Sequence, residues 1–316
     1  MSTLRLQEVS RWFGNVVAVN DVTMEIGAGV TGLLGPNGAG KSTLIHMMAG
    51  FLSPSAGSVT LDEGAVWRNE DIYRDLGLVP EREDMYDNLT GWAFVLANAR
   101  LHRLPDRDAA TRRAIGTVQM ADAQDRDIRT YSKGMRQRIK MATALVHDPS
   151  VLLLDEPFNG MDPRQRLQLM ELLDRLGDQG RTILFSSHIL EEVEQIAGRI
   201  EVMVAGRHAA SGDFREIRRL MTQRPHQYTI RSSDDRALAA AVIAQPSTSG
   251  VEIVHGSERV SAVGVERTGG VHVQATDFSA FVHALPQLAA QRGIRLYEVR
   301  PVDESLESVF SYLVAR

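Results

Sequence analysis

Nine residues at 35–43, GPNGAGKST, fit the pattern G-x-x-x-x-G-K-[S/T], with a strand-like run, VTGLLG, leading into them and a helical run, STLIHMMAG, leading out. Glycines at these spacings let backbone N–H groups close around phosphates. Lys41 reaches the β- and γ-phosphates, and Ser42 offers a hydroxyl to Mg²⁺. A glycine-rich turn that merely joined strand to helix would need neither Lys41 nor Ser42. By average residue usage the bare pattern arises in roughly one chain of this length in a hundred, and the flanking strand and helix make accident rarer. VLLLDEPF at 151–158 supplies the complementary chemistry. Asp155 ends a run apolar enough to be buried on both faces and can hold the water shell of the metal. Glu156, the next residue, can orient and deprotonate an attacking water.

A third chemical feature is the start of a helix. YSKGMRQRIKMA at 131–142 reads as a basic amphipathic helix whose first turn holds Ser132, Lys133 and Gly134. Ser132 is an ordinary helix cap, worth about 1 kcal/mol. The free N–H groups, the positive end of the helix dipole and Lys133 also suit a phosphate. The residues of this segment leave both readings open.

The elements that must position these groups follow from the pattern of the chain. Strand-like runs at 3–35 precede the helix after the glycine-rich loop, and 88–147 is mostly helical, with apolar residues three and four apart. VLLLDEP and TILFSSH at 182–188 are short continuous apolar runs, as buried parallel strands require. Strand, helix and strand in this order indicate an α/β fold, a doubly wound parallel sheet with a helical insertion. After Gly212 a charged, helical linker runs to Pro225. The remainder alternates strands and helices in a βαββαβ-like order, with strands at about 251–255, 259–265 and 271–275 and a terminal helix over DESLESVFSYLV. The expected domains are therefore 1–212, a linker at 213–225, and a small α+β domain at 226–316.

Composition narrows the function. Of 316 residues, 35 are Lys or Arg and 40 are Asp or Glu, so the net charge of −5 gives no general attraction to nucleic acid or anionic lipid. With no cysteine, disulfides, thiolate zinc sites and cysteine nucleophiles are excluded. No apolar run approaches the roughly 18 residues of a membrane-spanning helix, and the first residues lack a signal-peptide core. The expected location is the cytoplasm, with attachment to a membrane only through a partner.

Taken in order, these segments resemble the ATP-binding cassette (ABC) ATPases over roughly residues 3–212. YSKGM is similar to the family's signature sequence: Ser132 and Gly134 match, while Tyr131, Lys133 and Met135 replace its usual Leu, Gly and Gln. FNGMD at 158–162 resembles the loop after the catalytic glutamate, with Asp162 its acidic member. His188 stands where the family has a switch histidine, and Phe13 where an aromatic stacks on adenine. The resemblance implies a P-loop domain with a parallel sheet core, an antiparallel β subdomain and a helical subdomain at about 84–147. It implies ATP held by Phe13, Gly35, Asn37, Gly38, Gly40, Lys41, Ser42 and Thr43, with Mg²⁺ on Ser42 and Asp155, and Glu156, His188 and Lys41 as the catalytic set. Ser132, Gly134 and Asp162 would meet the nucleotide of a second subunit in a head-to-tail homodimer, which ATP closes and hydrolysis opens. One departure is Glu81, at the end of DLGLVPERED, where the family usually has Gln touching Mg²⁺ and water. A carboxylate there can bind the metal or be a solvated loop acid.

The motifs resemble most closely the ATPase subunits of exporters whose membrane domains are separate chains, handling drugs, lipids or polysaccharides. The implied partners are a second nucleotide-binding subunit and integral membrane permeases, without nucleic acid. The alternative, a soluble clamp on nucleic acid or ribosomes, fits less well, because Lys41 and Ser132 lie in one compact domain and the chain has a single cassette. A nucleotide sensor without turnover conflicts with Glu156 and His188, which serve hydrolysis.

Overall fold

The computed structural model describes residues 2–82, 85–217, 226–254, 258–261, 264–267 and 270–301. These fall into two units, the first ending at Ile217 and the second carrying 226–301.

The first unit is built on two sheets. Strands β1 (Leu4–Phe13), β2 (Val16–Ile26), β4 (Ala56–Leu61) and β5 (Gly64–Ala65) form an antiparallel sheet in the order β2-β1-β4-β5. A six-stranded sheet has the order β10-β9-β3-β8-β7-β6, from β3 (Gly29–Leu34), β6 (Leu76–Val79), β7 (Val151–Leu154), β8 (Thr182–Ser187), β9 (Arg199–Val204) and β10 (Arg207–Gly212). Five of its strands are parallel and β10 closes it antiparallel. Every residue of β7 and β8 is buried, which explains their continuous apolar character. A core of Leu4, Leu6, Ile26, Leu33, Leu44, Met47, Leu153 and Leu184 joins the two sheets through helix α1 (Lys41–Met48).

Three helices form the expected helical insertion: α2 (Gly91–Leu101), α3 (Arg107–Thr117) and α4 (Lys133–Leu145). Each starts on a side-chain cap, Thr90, Asp106 and Ser132 respectively, whose oxygen accepts a first-turn N–H. Helices α5 (Pro163–Asp178) and α6 (Leu190–Ile196) follow β7 and β8. Asp162 caps α5, with Pro163 in the first turn.

The second unit has its own sheet, β12-β15-β11-β16, antiparallel throughout, from β11 (His226–Ser232), β12 (Thr248–Val254), β15 (Gly270–Ala275) and β16 (Leu296–Pro301). Helices α7 (Asp235–Ile243) and α8 (Phe278–Gln291) follow β11 and β15. Their core includes Tyr228, Ile230, Leu238, Val242, Val273 and Phe281. The single strand expected at 259–265 is instead a hairpin, β13 (Glu258–Ser261) with β14 (Gly264–Arg267), set between β12 and β15. The run RVSAVGV holds three valines and no Pro, Asn or Asp to mark a turn, so its composition reads as one strand. The terminal helix and most of the linker helix lie outside the described residues.

Candidate nucleotide site

Four loops leave the carboxyl ends of four neighbouring parallel strands. In sheet order they follow β3, β8, β7 and β6, and they carry the 35–42 segment, His188, Asp155 with Glu156, and Glu81. In open α/β sheets this edge is where ligands bind.

The glycine-rich loop is fixed by contacts that tolerate no side chain. Gly40 caps α1 at φ +96°, and a Cβ there would lie 2.4 Å from the Ala18 carbonyl oxygen. A Cβ on Gly35 would lie 2.2 Å from the Met203 carbonyl oxygen. The Gly35 amide donates to the Ser187 carbonyl (3.2 Å), and the Gly206 amide donates to the Ala39 carbonyl (3.1 Å). Asn37 and Gly38 stand exposed at the top of the loop, while Ser42 and Thr43 are half-buried in the first turn of α1. Lys41 is buried, and its Nζ donates to the carbonyls of Gly35 (2.6 Å) and Pro36 (3.2 Å).

The same ammonium lies 3.4 Å from Glu156 Oε1. Glu156 Oε2 pairs with His188 Nδ1 at 3.0 Å. Lysine, glutamate and histidine from three loops thus form one chain, with the glutamate in the middle and only 9% exposed. Glu156 Oε1 is buried and makes no hydrogen bond, its contact with the Lys41 ammonium being an ion pair alone. Its backbone sits at φ +47°, a left-handed conformation that costs a non-glycine residue about 1–3 kcal/mol and is characteristic of functional sites.

Asp155, 2% exposed, is anchored at both ends. Its amide donates to the Val79 carbonyl (2.9 Å), and Ser186 Oγ donates to its Oδ1 (2.7 Å). Ser186 Oγ also accepts the Glu156 amide (2.8 Å), so one buried hydroxyl aligns both acids. The next residue, Ser187, donates to Glu192 Oε2 (2.6 Å), whose other oxygen faces Arg166 of α5 at 3.1 Å. Burial raises the Glu192 pKa against the opposing effects of Ser187 and Arg166. The sequence reading missed both serines. Their signal was present as two hydroxyls at the end of an otherwise apolar strand, just before His188.

Ser132, Gly134 and Asp162 form a separate cluster. Ser132 Oγ accepts the Met135 amide (3.3 Å), and Asp162 Oδ1 accepts the Gln165 amide (2.9 Å). Gln165 closes over Gly134, where a Cβ would meet its Oε1, and the stem of Lys133 crosses Gly160. Among the described residues, no hydrogen bond or ion pair joins this cluster to Lys41. Phe13, at the end of β1, is exposed rather than part of the core, with the Arg11 guanidinium 4.7 Å above its ring. Glu81 is exposed in the loop after β6.

A magnesium ion accompanying nucleotide takes few protein oxygens, because water and phosphate supply the rest. Ser42 and the anchored carboxylate of Asp155 are oxygen donors of that kind, and Glu156 Oε1, which makes no hydrogen bond, adds an acceptor for its water shell. The donor set fits the ion. Among the described residues, no group of three His, Cys, Asp or Glu side chains forms a metal site made by protein alone, as such an ion requires none.

The sequence model of the family described as ABC transporter matches residues 19–159. An uncharacterised ABC transporter ATP-binding protein of Nostoc sp. is 39% identical over 208 residues, 64% of this chain and 62% of that protein, so the match spans under two thirds of that relative. The bacitracin transport ATP-binding protein BcrA of Enterococcus faecalis is 30% identical over 314 residues, covering 98% of this chain and 96% of BcrA. Among solved structures, an ATP-binding subunit of an ABC transporter superposes with a TM-score of 0.61 at 26% identity, over 68% of this chain and 92% of the other.

Proposed function

This chain belongs to the ABC transporter family of ATPases, and we propose that it is the ATP-hydrolysing motor subunit of an exporter, working as a dimer on separate membrane permeases. The observation that carries the reading is the Lys41–Glu156–His188 chain, at the mouth of the glycine-rich loop and beside Asp155. Among the described residues no helix is long and apolar enough to cross a membrane, and in this reading partner chains make the crossing. The full-length likeness to a bacitracin transport protein supports the transport reading over a clamp on nucleic acid or ribosomes.

The geometry supports a role for each residue. Lys41 exchanges the Gly35 and Pro36 carbonyls for β- and γ-phosphate oxygens, and the amides at the start of α1 face the same phosphates. Ser42 and Asp155 would hold Mg²⁺, which supplies positive charge against the charge developing on the phosphates. With Lys41 moved to the phosphates, Glu156 turns Oε1 to the attacking water and accepts its proton, while His188 Nδ1 fixes the other oxygen. Phe13 offers its exposed face to adenine. Ser132 and the Gly134 amide, which share no hydrogen bond or ion pair with Lys41 among the described residues, would face the γ-phosphate held by a second subunit, with Asp162 beside them.

Replacing Glu156 with Gln keeps the shape and removes the base. ATP hydrolysis is expected to fall by about 10²–10⁴-fold while nucleotide binding survives. With Mg²⁺ and ATP the variant should elute from gel filtration as a stable dimer. Elution as a monomer at saturating nucleotide would reject the two-site mechanism.

A further inference from the structure

Lys140 lies on the inward face of α4 among Ile139, Met141 and Ala142, and is 5% exposed. A buried ammonium is costly unless its donors are satisfied, and an apolar side chain would fill this position more cheaply. Its ammonium donates to three backbone oxygens of one short segment: the carbonyls of Pro80 (2.6 Å), Glu81 (3.3 Å) and Arg82 (3.2 Å). That segment leaves β6 at Val79, whose carbonyl is held by the Asp155 amide (2.9 Å). The loop carrying Glu81 is therefore pinned on one side to the acid beside the phosphate loop and on the other to α4.

Helix α4 is capped by Ser132, and the eight helical steps from Ser132 to Lys140 make a rigid rod of about 12 Å. Its free end is the phosphate-facing cluster, and Lys140 grips the Glu81 loop two turns further on. We propose that Lys140 is a positioning residue that ties the Glu81 loop to α4, setting where the Glu81 carboxylate meets magnesium-bound nucleotide and coupling that placement to engagement of Ser132 and Gly134 by the second subunit. The proposal rests on the ATPase reading and extends it. It also gives a reason for a carboxylate in this loop: a fixed backbone limits how closely the added negative charge approaches the phosphates.

The test uses the full chain in two arms. In the nucleotide-free protein, Lys140→Met should speed hydrogen exchange at the Glu81 and Arg82 amides about tenfold, with β7 amides unchanged and Lys140→Arg restoring protection. In ATP-binding titrations, Lys140→Met should raise the Mg²⁺ concentration for half-maximal binding by about three- to tenfold, as removal of a charge-assisted anchor implies. Glu81→Gln should shift that midpoint by itself, and adding Lys140→Met to it should shift it no further. If the methionine variant fails to fold, Lys140→Gln serves in both arms. Unchanged exchange, an unchanged Mg²⁺ midpoint, or an equal Lys140 effect in the Glu81→Gln background would each overturn the proposal. Failure of the wild-type chain to bind ATP would instead reject the ATPase reading, with the exchange arm still deciding whether Lys140 holds the loop.

Discussion

Gly40 and Glu156 both adopt positive φ, at +96° and +47°, but for different reasons. At Gly40 the backbone turns into α1 against the Ala18 carbonyl, so the conformation is an entry requirement for the loop. At Glu156 a side chain tolerates the strain because Ser186, Lys41 and His188 hold it from three directions. Gly40→Ala must resolve a 2.4 Å collision with backbone as well as an unfavourable φ, and is expected to cost about 2 kcal/mol or more. Gly134→Ala meets only the movable end of Gln165, and should cost less than about 1 kcal/mol. Denaturant unfolding of the two variants decides this, and equal losses would show that the loop yields as easily as a side chain.

Between elements, the end of α4 meets the end of α2 through a pair of histidines. His102 and His147 stack with ring centroids 3.8 Å apart and planes at 7°. His147 Nε2 lies 3.1 Å from the Leu76 carbonyl of β6 and must donate to it, which leaves the buried Nδ1 unprotonated and without a partner. Burial, then the neighbouring His102, pushes the His147 pKa down to about 4, and Arg181 adds to this against the Leu76 carbonyl and Asp148. Because the unfolded chain takes up this proton near pH 6.5 and the folded chain only near 4, stability is full above that window and declines as pH falls through it. The expected loss from pH 7 to pH 5 is on the order of 1 kcal/mol, and His147→Gln should lack that share. Parallel stability profiles for wild type and variant would assign the acid loss to other groups. Contacts of this kind show what sequence conceals. Lys41, Asp155, Glu156 and Ser132 were legible because their chemistry depends on local spacing beside a strand or helix end. The His102–His147 stack, the Ser186 bridge and the Lys140 grip join residues from distant segments, and no periodicity announces them. The β13–β14 hairpin was misread because RVSAVGV contains no Pro, Asn or Asp at the reversal to signal a turn.

Across the whole molecule, the buried clusters of the two units are served, among the described residues, by separate sheets. Every strand from β11 to β16 pairs within the second unit, and every strand from β1 to β10 within the first. The nucleotide-contacting residues proposed from Phe13 to His188 all lie in the first unit, so bound ATP should stabilise that unit alone. Binding at about 100 times Kd contributes about 2.7 kcal/mol. For a unit of this size that corresponds to a rise in Tm of about 5–10 °C. Calorimetry of the Glu156→Gln variant, chosen so that ATP persists, should therefore resolve two transitions. Only one should move when Mg²⁺ and ATP are added, and a chain ending at Ile217 should retain that transition and its shift. Should both transitions move together, or a single one account for the full heat, the second unit would share the stability of the first. Its role would then be to transmit nucleotide binding, rather than to steady a dimer of motors that bind ATP independently of it.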